Sequence, residues 1–542
     1  MRSSTLLLAL SLAGWSGAAA ADTTTAAPNG SAAHASAGAD AHSTVTGGTS
    51  GHAALPEGTF LADDGLRSFR STYETWTRPG RRDPKYLRAA LEMGAILAVG
   101  TAYYWIRPEI NKQDWDFPDY QTRMQNFRPT FDTNLHVTNN VLHPGAGSLY
   151  YAFARLNGLN VPAAIGYALA SGAAFEFFLE WLEKASYNDL IMTPMAGIPA
   201  GEFFVHLGDY FNSAPRGGRW THKATSAVLG WEHHIHAAKF DPATRVMPPD
   251  SLGFSSYYWH RFHTLIGYSR TANDDKESAG QYDLALDAEI VSIPGFLRPG
   301  RFAITFTDGD FTEGRARFSV SDRHRLSTDL FFAASLYGRY KQDIALVDGK
   351  PIGRGSMLAI DLAARFSERR FTGRNDGYAM AHLFGPSFKL FGVYGDLVAR
   401  IEGATHPDFA PMYSLAFQEW KAQFGEEGAK SALRQQGFYY AFGWSGRLRG
   451  LITWRSLELG SRAFLGYYGS IEGGDRFPDK VTRDQRQTDL AVELESWIGV
   501  TAPKLPLHLR AYVEHFGRRS TMAPVTVTRW DRRYGLLFGA HF

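Results

Sequence analysis

Apolar and polar residues alternate along the chain from about residue 255 to its end. A period of two puts the two sets of side chains on opposite faces of a β-strand. Each run is about ten residues long, the length that a tilted strand needs to cross the hydrocarbon layer of a membrane. Strands of a soluble sandwich also alternate, but they average about five or six residues. The pattern therefore favours transmembrane strands, and four runs show it best: QYDLALDAEIV (281–291), MLAIDLAARFS (357–367), DLAVELESWIGV (489–500) and LPLHLRAYVEH (505–515).

Candidate strands in this half number about twelve, an even number as bacterial barrels require. Segments 302–321 and 377–402 are ambiguous, so ten or fourteen strands remain open. The alternation continues through Leu536, Phe538 and Ala540 to Phe542. An aromatic residue that closes an alternating strand resembles the signature by which the outer-membrane assembly machinery recognises barrels. We therefore expect an outer-membrane location, with that machinery and outer-membrane lipid as partners.

The N-terminal end follows other patterns. Residues 1–21 look like a cleaved secretory signal peptide, with Arg2 before the apolar run LLLALSLA and small residues before Asp22. That run is far shorter than the ~20 residues of a spanning helix. Residues 22–58 are mostly small and polar, so we interpret them as a disordered low-complexity linker.

A helical module is predicted over residues 59–250, with apolar helices at 84–105 and 161–184. The two apolar helices are also compatible with an inner-membrane protein that carries a periplasmic β-sandwich. The terminal aromatic residue Phe542 argues against this alternative. We expect the helices to pack on each other, or against or inside the barrel, in the periplasm. A further helix at 412–435 is expected in a loop between strands. The predicted fold is mainly β: this N-terminal helical module followed by an antiparallel transmembrane β-barrel of about 12 strands over 251–542.

Composition changes this picture in three ways. Aromatic residues at 14% and 55 glycines suit a membrane barrel. The absence of cysteine excludes disulfides, thiolate metal sites and cysteine nucleophiles. The net charge of +2 is small and its basic residues are scattered, so we predict no nucleic-acid partner.

Polar residues stand out within the apolar helical module between about residues 115 and 211. Glu176 and Glu180 are four positions apart and share a helix face, as Glu202 and His206 do. Such groups could hold a divalent metal or act as an acid–base pair. Alternatively they are satisfied buried groups, with Arg155 paired to a glutamate. Their spacing matches no known metal signature, so we predict no metal and no cofactor. The candidate cluster comprises Asn139, His143, Arg155, Glu176, Glu180, Asn188, Asp189, Glu202 and His206.

Parts of this segment resemble the domain of unknown function 3943 family of bacterial proteins. The resemblance rests on HPGAGSLYYAFARLNG (143–158), the spaced glutamates with Asn188-Asp189, and GIPAGE (197–202). It covers about a hundred residues and leaves the signal, linker and barrel outside. The family has no established activity, so the resemblance implies bacterial origin and a shared helical module.

Two histidine-rich runs are weaker candidates. WEHHIHAAKF (231–240) could supply metal ligands, but it lacks an HExxH pattern. YYWHRFH (257–263) could serve a lipase built on a barrel strand, but no G-x-S-x-G elbow accompanies it. Aromatic residues and histidines at a strand end fit an interfacial belt equally well.

Two functions follow from these observations. The first is a non-enzymatic outer-membrane barrel, a channel, transporter or envelope-structural component, with the helical module as a plug or periplasmic cap. The second is a membrane-embedded hydrolase or lipid-modifying enzyme that uses the His/Glu cluster. The second requires His143, Glu176, Glu180 and Glu202 to converge on one pocket that lipid or water can enter.

Overall fold

A computed structural model describes most of the chain from Thr59 onward. The predicted signal peptide (1–21), the linker (22–58) and Phe542 lie outside the described residues. The described residues are 59–62, 65–68, 75–76, 83–106, 115–119, 121 and 129–541, the last range with gaps at 215–218, 234–235, 237–249, 251, 255–256, 275–277, 323–324, 373 and 504.

Twelve antiparallel strands of the described region close into a barrel, which confirms the predicted fold class. Eleven of its positions are single strands, and the third position is shared by two collinear strands that both pair with the fourth. The strands are β4 (Trp259–Asn273), β5 (Ser278–Val291), β6 (Gly300–Phe306), β7 (Phe311–Ser321), β8 (Leu326–Val347), β9 (Lys350–Thr372), β10 (Arg374–Tyr394), β11 (Leu397–Tyr413), β12 (Phe438–Trp454), β13 (Leu457–Ser470), β14 (Gln487–Thr501), β15 (Leu507–Met522) and β16 (Val525–His541).

The ring closes where β16 pairs with β4, with His541 opposite His263. The two segments that were ambiguous in the sequence are the broken strand β6–β7 and the hairpin β10–β11. Three short strands precede the helices, and the first and third of them pair with β6. They are β1 (Thr59–Ala62), β2 (Gly65–Ser68) and β3 (Thr75–Trp76).

The barrel has charged side chains inside and apolar side chains outside. On β14, Leu494 faces outward and is 44% exposed, whereas Glu493 and Glu495 face the lumen and are buried. This arrangement reverses that of a soluble protein and matches a barrel surrounded by lipid.

Ion pairs cross the lumen between opposite walls. Strands β9 and β15 are six positions apart in the ring of twelve, and Arg369 on one lies 2.8 Å from Glu514 on the other. Similar pairs tie other facing strands: Arg365–Glu493, Arg317–Glu495, Arg317–Glu514 and Arg518–Asp376. The described lumen contains two adjoining cavities of about 40 and 70 Å³ among these side chains.

Seven α-helices accompany the described part of the barrel. The apolar run predicted at 161–184 forms a helix to Ala174 and a π-helical turn at Phe175–Leu179. In place of the helix predicted at 412–435, two short helices lie between β11 and β12. The helices are α1 (Tyr86–Ile106), α2 (His143–Leu156), α3 (Val161–Ala174), α4 (Tyr187–Phe211), α5 (Trp220–Leu229), α6 (Phe417–Phe424) and α7 (Ser431–Gln436).

Helices α1 to α4 form a layer against the outer wall of the barrel. The predicted packing against the barrel is therefore confirmed, and the prediction of a plug or periplasmic cap is wrong. Helix α4 packs across β5 and β7 to β10. Phe203 of α4 contacts Phe332, whose neighbour Phe331 points into the lumen beneath Arg315. The reason is that the lumen is already occupied, by charged groups that pair with one another and by clusters of apolar and aromatic side chains, whereas the outward faces offer uncovered apolar surface to an apolar helix.

Three helical segments are long and apolar enough to cross a membrane: Tyr86–Ile106, Val161–Leu179 and Tyr187–Phe211. The third is mostly buried between the barrel and its helical neighbours, whereas α1 exposes large apolar side chains. Leu87 of α1 is 75% exposed and Ile106 is 81% exposed.

The two ends of the barrel differ in their connections. At one end the turns are as short as two residues, at 348–349, 395–396 and 455–456. The other end also has a two-residue turn, at 523–524, but it carries the two long connections 414–437 and 471–486. Outer-membrane barrels place short turns in the periplasm and longer loops outside.

Candidate functional site

Helices α2 and α4 touch through their backbones, which explains the glycines of the HPGAG and GIPAGE stretches. A Cβ on Gly147 would overlap the carbonyl oxygen of Thr193, and a Cβ on Gly197 would lie 2.6 Å from the carbonyl carbon of Gly147. Small residues permit this approach, as they do between helices in membranes. The crossing brings polar residues from distant parts of the chain together in the layer.

The nine predicted site residues divide into two groups on these helices. Arg155, Glu202 and His206 lie near the strand break between β6 and β7. The other six lie toward the opposite end of α4: Asn139, His143, Glu176, Glu180, Asn188 and Asp189. The four residues that the enzyme hypothesis required to converge therefore do not all meet, because Glu202 belongs to the first group.

Arg155 and Glu202 form a closed bidentate ion pair. The Arg155 Nε and Nη2 groups donate to the two Glu202 carboxylate oxygens at 2.8 and 3.0 Å. Arg155 also donates to the carbonyl oxygens of Leu159 and Asp308 at 2.7 and 3.0 Å, and His206 Nε2 lies 3.2 Å from Glu202. All three predicted residues are buried. This group ties α2 and α4 to the barrel and has the properties of a structural core.

The six other residues line or support a histidine–carboxylate group. His143 Nδ1 lies 3.8 Å from Asp189 Oδ1, and the backbone N–H of Ser186 donates to Glu176 at 2.9 Å. Asn188 donates to Asp189 at 3.0 Å. We call His143, Glu176, Glu180 and Asp189 the His143 cluster.

The cluster is supported by residues that sequence reasoning missed. Asn139 donates to Asp132 at 2.6 Å, and the Tyr440 hydroxyl donates to the same carboxylate oxygen at 2.8 Å. Tyr440 lies on β12, about three hundred positions away along the chain. No local sequence pattern could have linked Tyr440 to the cluster. Asp132, in the stretch TFDTNL (130–135), lies only a few residues before the helix that carries His143 and could have been included from the sequence.

A cavity of about 140 Å³ opens next to the cluster. Its walls are mainly apolar and aromatic, and His143, Glu176 and Glu180 are the histidine and carboxylate side chains in its lining. Tyr103 of α1 lines the cavity and is 54% exposed. The remaining lining residues are Gly100, Tyr104, Thr138, Leu142, Ala146, Tyr150, Gly172, Phe175 and Thr193.

The cluster has two chemical capabilities. His143, Glu176 and Asp189 each offer one ligand atom, and these atoms lie within 4.8 Å of one another, so they could hold a divalent cation. Without a metal, a histidine beside carboxylates can move a proton to or from a bound molecule.

The two histidine-rich runs do not form comparable sites. In the described part of 231–240, His233 pairs with Asp209 at 2.8 Å and His236 with Glu92 at 3.5 Å, so these histidines have separate partners. In 257–263, His260 stacks on Phe262 in the helical layer, while His263 faces the lumen.

Residues 128–230 match the family model of a domain of unknown function, DUF3943. The matched DUF3943 segment contains α2 to α5 and all nine predicted site residues, and the barrel lies outside it. No curated protein matches the chain in sequence.

Solved structures that are similar to the chain are outer-membrane β-barrel proteins. They include OmpT of Vibrio cholerae (8% identity, 53% of this chain and 97% of that chain, TM-score 0.19). The translocator domain of the autotransporter NalP from Neisseria meningitidis is similar over 58% of this chain and 97% of its own (12% identity, TM-score 0.16). OprD of Pseudomonas aeruginosa is similar over 53% and 95% (6% identity, TM-score 0.16). At these TM-scores the similarities carry no argument about function.

Proposed function

We propose that the protein is an outer-membrane barrel whose outer wall carries a binding site for a lipid or another amphipathic molecule. The observation that supports this most directly is the cavity beside the His143 cluster. It combines apolar and aromatic walls with a few convergent polar groups, which is the composition of small-molecule sites. Its position on the outer wall, beside the exposed apolar surface of α1, gives a membrane lipid access to it.

The outer-membrane location is supported by the polarity of the barrel. Its outward apolar band needs lipid, and its long connections assign one end to the outside of the cell. The loop at 471–486 belongs to that end and contacts the segments that flank the cluster: Phe131 donates to the Gly474 carbonyl at 2.6 Å, and Lys184 to the Arg476 carbonyl at 3.2 Å. The site therefore serves the outer leaflet. We also propose that the barrel assembly machinery inserts the chain through its last strand.

An open channel is less well supported. The ion pairs between β9 and β15 and between other facing strands occupy the lumen at several levels. A water-filled pore requires a free passage along the barrel, and the two cavities among these ion pairs are small, about 40 and 70 Å³. We infer that the barrel acts as a scaffold for the helical layer.

Lipid modification is the finer form of this proposal. In it, His143 and Asp189 act as a proton-transferring pair beside an ester or phosphate group of the bound molecule, and Glu176 orients that group or a water molecule. The acyl chains occupy the apolar part of the cavity. Arg155 and Glu202 take no part, because their hydrogen bonds are made with each other.

The test is the lipid that co-purifies with the full chain from separated outer membranes in mild detergent. Ala146→Trp fills the cavity, whereas Ala170→Trp places the same side chain at an exposed position of α3. We expect Ala146→Trp to lower the bound lipid at least about fivefold and Ala170→Trp to leave it unchanged, with a normal heat-shifted band on semi-native gels for both. Equal lipid content in the two variants and the wild type would contradict a binding site here.

The finer proposal has its own readout, the mass of the bound lipid. If the site modifies lipid, Glu176→Gln retains the unmodified molecule and the wild type retains the product. The bound lipid could instead have the same mass in Glu176→Gln and in the wild type, while Ala146→Trp still lowers the amount bound. That result would contradict catalysis and support a protein that only binds lipid.

A further inference from the structure

Three histidines and a glutamate meet inside the barrel, at its short-turn end, where the ring closes. They come from four strands: His263 from β4, Glu458 from β13, His508 from β15 and His541 from β16. The ring centroid of His263 lies 4.7 Å from that of His508 and 4.5 Å from that of His541. Ligand atoms of His263, Glu458 and His508 lie within 4.8 Å of one another. This group is separate from the helical layer and has no part in the lipid site.

The geometry points to a divalent transition-metal site, of the kind that zinc occupies, formed by His263, His508, His541 and Glu458. Imidazole nitrogens and one carboxylate are a ligand set that Zn²⁺ accepts in tetrahedral coordination. The metal would join the first and last strands of the barrel, β4 and β16, to two further strands.

An unused nitrogen atom supports this assignment. His508 Nε2 is buried and has no hydrogen-bond partner among the described residues. The other nitrogen of His508, Nδ1, lies 2.9 Å from the Thr501 hydroxyl. A donor hydrogen bond from Nδ1 leaves a lone pair on Nε2, which is how second-shell groups prepare a histidine to bind metal.

The contact between two of the histidines is also explained by a shared ion. His541 Nδ1 lies 2.8 Å from His263 Nε2, so the two nitrogens share either a proton or a cation. Around a tetrahedral metal two nitrogens are about 3.3 Å apart, which requires only a small separation of these rings. Gly499 of β14 leaves room for the His508 ring, because a Cβ there would lie 2.6 Å from His508 Nε2.

Two arginines border the site, and their charges are compensated. Arg261 lies 3.5 Å from Glu458 and Arg510 lies 3.2 Å from it. Both belong to a network with equal numbers of cationic and carboxylate groups, so no net positive charge repels a metal ion. The network contains Arg261, Arg510, Arg400 and Lys389 with Glu458, Asp287, Glu289 and Glu402.

Cobalt binding to the purified, EDTA-treated full chain in detergent tests the site. We expect one Co²⁺ per chain with the visible absorption of tetrahedral coordination, displaced by Zn²⁺. His508→Asn should abolish this absorption, and Thr501→Val should weaken binding about tenfold or more. His515→Asn is the matched control, because His515 lies on the same strand but faces outward.

Semi-native gels report whether each variant has folded. If His508→Asn does not give the heat-shifted band, His541→Gln and Thr501→Val replace it in the titration. Tetrahedral absorption that survives His508→Asn or His541→Gln would overturn the proposal, as would the absence of Co²⁺ uptake by the wild type. Absorption that disappears only in His143→Asn would assign the metal to the helical layer and would also overturn it.

Discussion

Arg155 and His143 are both on α2, but their side chains have different surroundings. Arg155 is held by two carboxylate oxygens and two carbonyl oxygens. His143 lines a cavity, with its nearest described carboxylate partner at 3.8 Å. A saturated ion pair stabilises a fold, whereas a polar group beside a cavity can act on a ligand. Only the second kind of residue belongs to the proposed site.

Removing the Arg155 side chain tests its structural role. In Arg155→Leu the Glu202 carboxylate remains buried without its main partner, and such a change destabilises by about 3–5 kcal/mol. We expect the heat-shifted band to be lost at a clearly lower temperature in a series of semi-native gels. Arg455→Ala, which removes an exposed pair with Asp396, should change that temperature little. Equal behaviour of the two variants would contradict a structural role for Arg155.

At the scale of elements, the crossing of α2 and α4 determines where the His143 cluster forms. Gly147 and Gly197 allow the two backbones to touch. Any side chain at the contact would separate the helices and enlarge the distances among residues on either side. The glycines of the DUF3943 segment therefore position the polar residues without contacting a ligand.

The crossing can be tested by two alanine substitutions. Gly197→Ala places a methyl group against backbone atoms of Gly147 and Ser148, and overpacking of this kind costs about 1–3 kcal/mol or more. We expect Gly197→Ala to unfold at a lower temperature and to lose lipid. Gly145→Ala is the control, since a Cβ there meets nothing within 4 Å. If both variants match the wild type, the close approach is not required.

At the scale of the whole molecule, the inner and outer surfaces of the barrel wall differ in their side chains. The lumen holds paired charges together with clusters of buried aromatic and apolar side chains, and the outer wall holds exposed apolar side chains and the helical layer. Interior ion pairs connect facing strands across the lumen. A barrel cross-linked in this way is better suited to hold the site on its outer wall in place than to let solutes pass through the lumen.

Planar-bilayer recordings test this view of the lumen. We expect the wild type to show no steady conductance of a size typical of open pores. Arg365→Ala combined with Arg369→Ala removes cations that bridge to Glu493 and Glu514, and should increase the conductance severalfold. Arg301→Ala affects only an exposed pair with Asp343 and serves as the control. A large wild-type conductance would restore the channel hypothesis.

The sequence by itself determined the barrel, a strand number of about twelve and the alternation of faces along the clearest strands. The reason is that strand faces follow from a period of two, which is local and repeats in runs such as 489–500. Helices α1 and α3 were likewise predicted from apolar runs. Their ends lie within a few residues of the predicted ones, except that the run at 161–184 ends in a π-helical turn.

Only the tertiary structure decided where the helices lie and which polar residues meet. An apolar helix carries the same pattern whether it fills a lumen or covers a wall, and the choice depends on the ion pairs already occupying the lumen. Glu202 and Glu176 look alike in the sequence, yet one meets Arg155 and the other borders a cavity. The partnership of Asp132 with Tyr440, and of His263 with His541, joins residues hundreds of positions apart. Such contacts arise from barrel closure and helix crossing, which no local pattern of residues encodes.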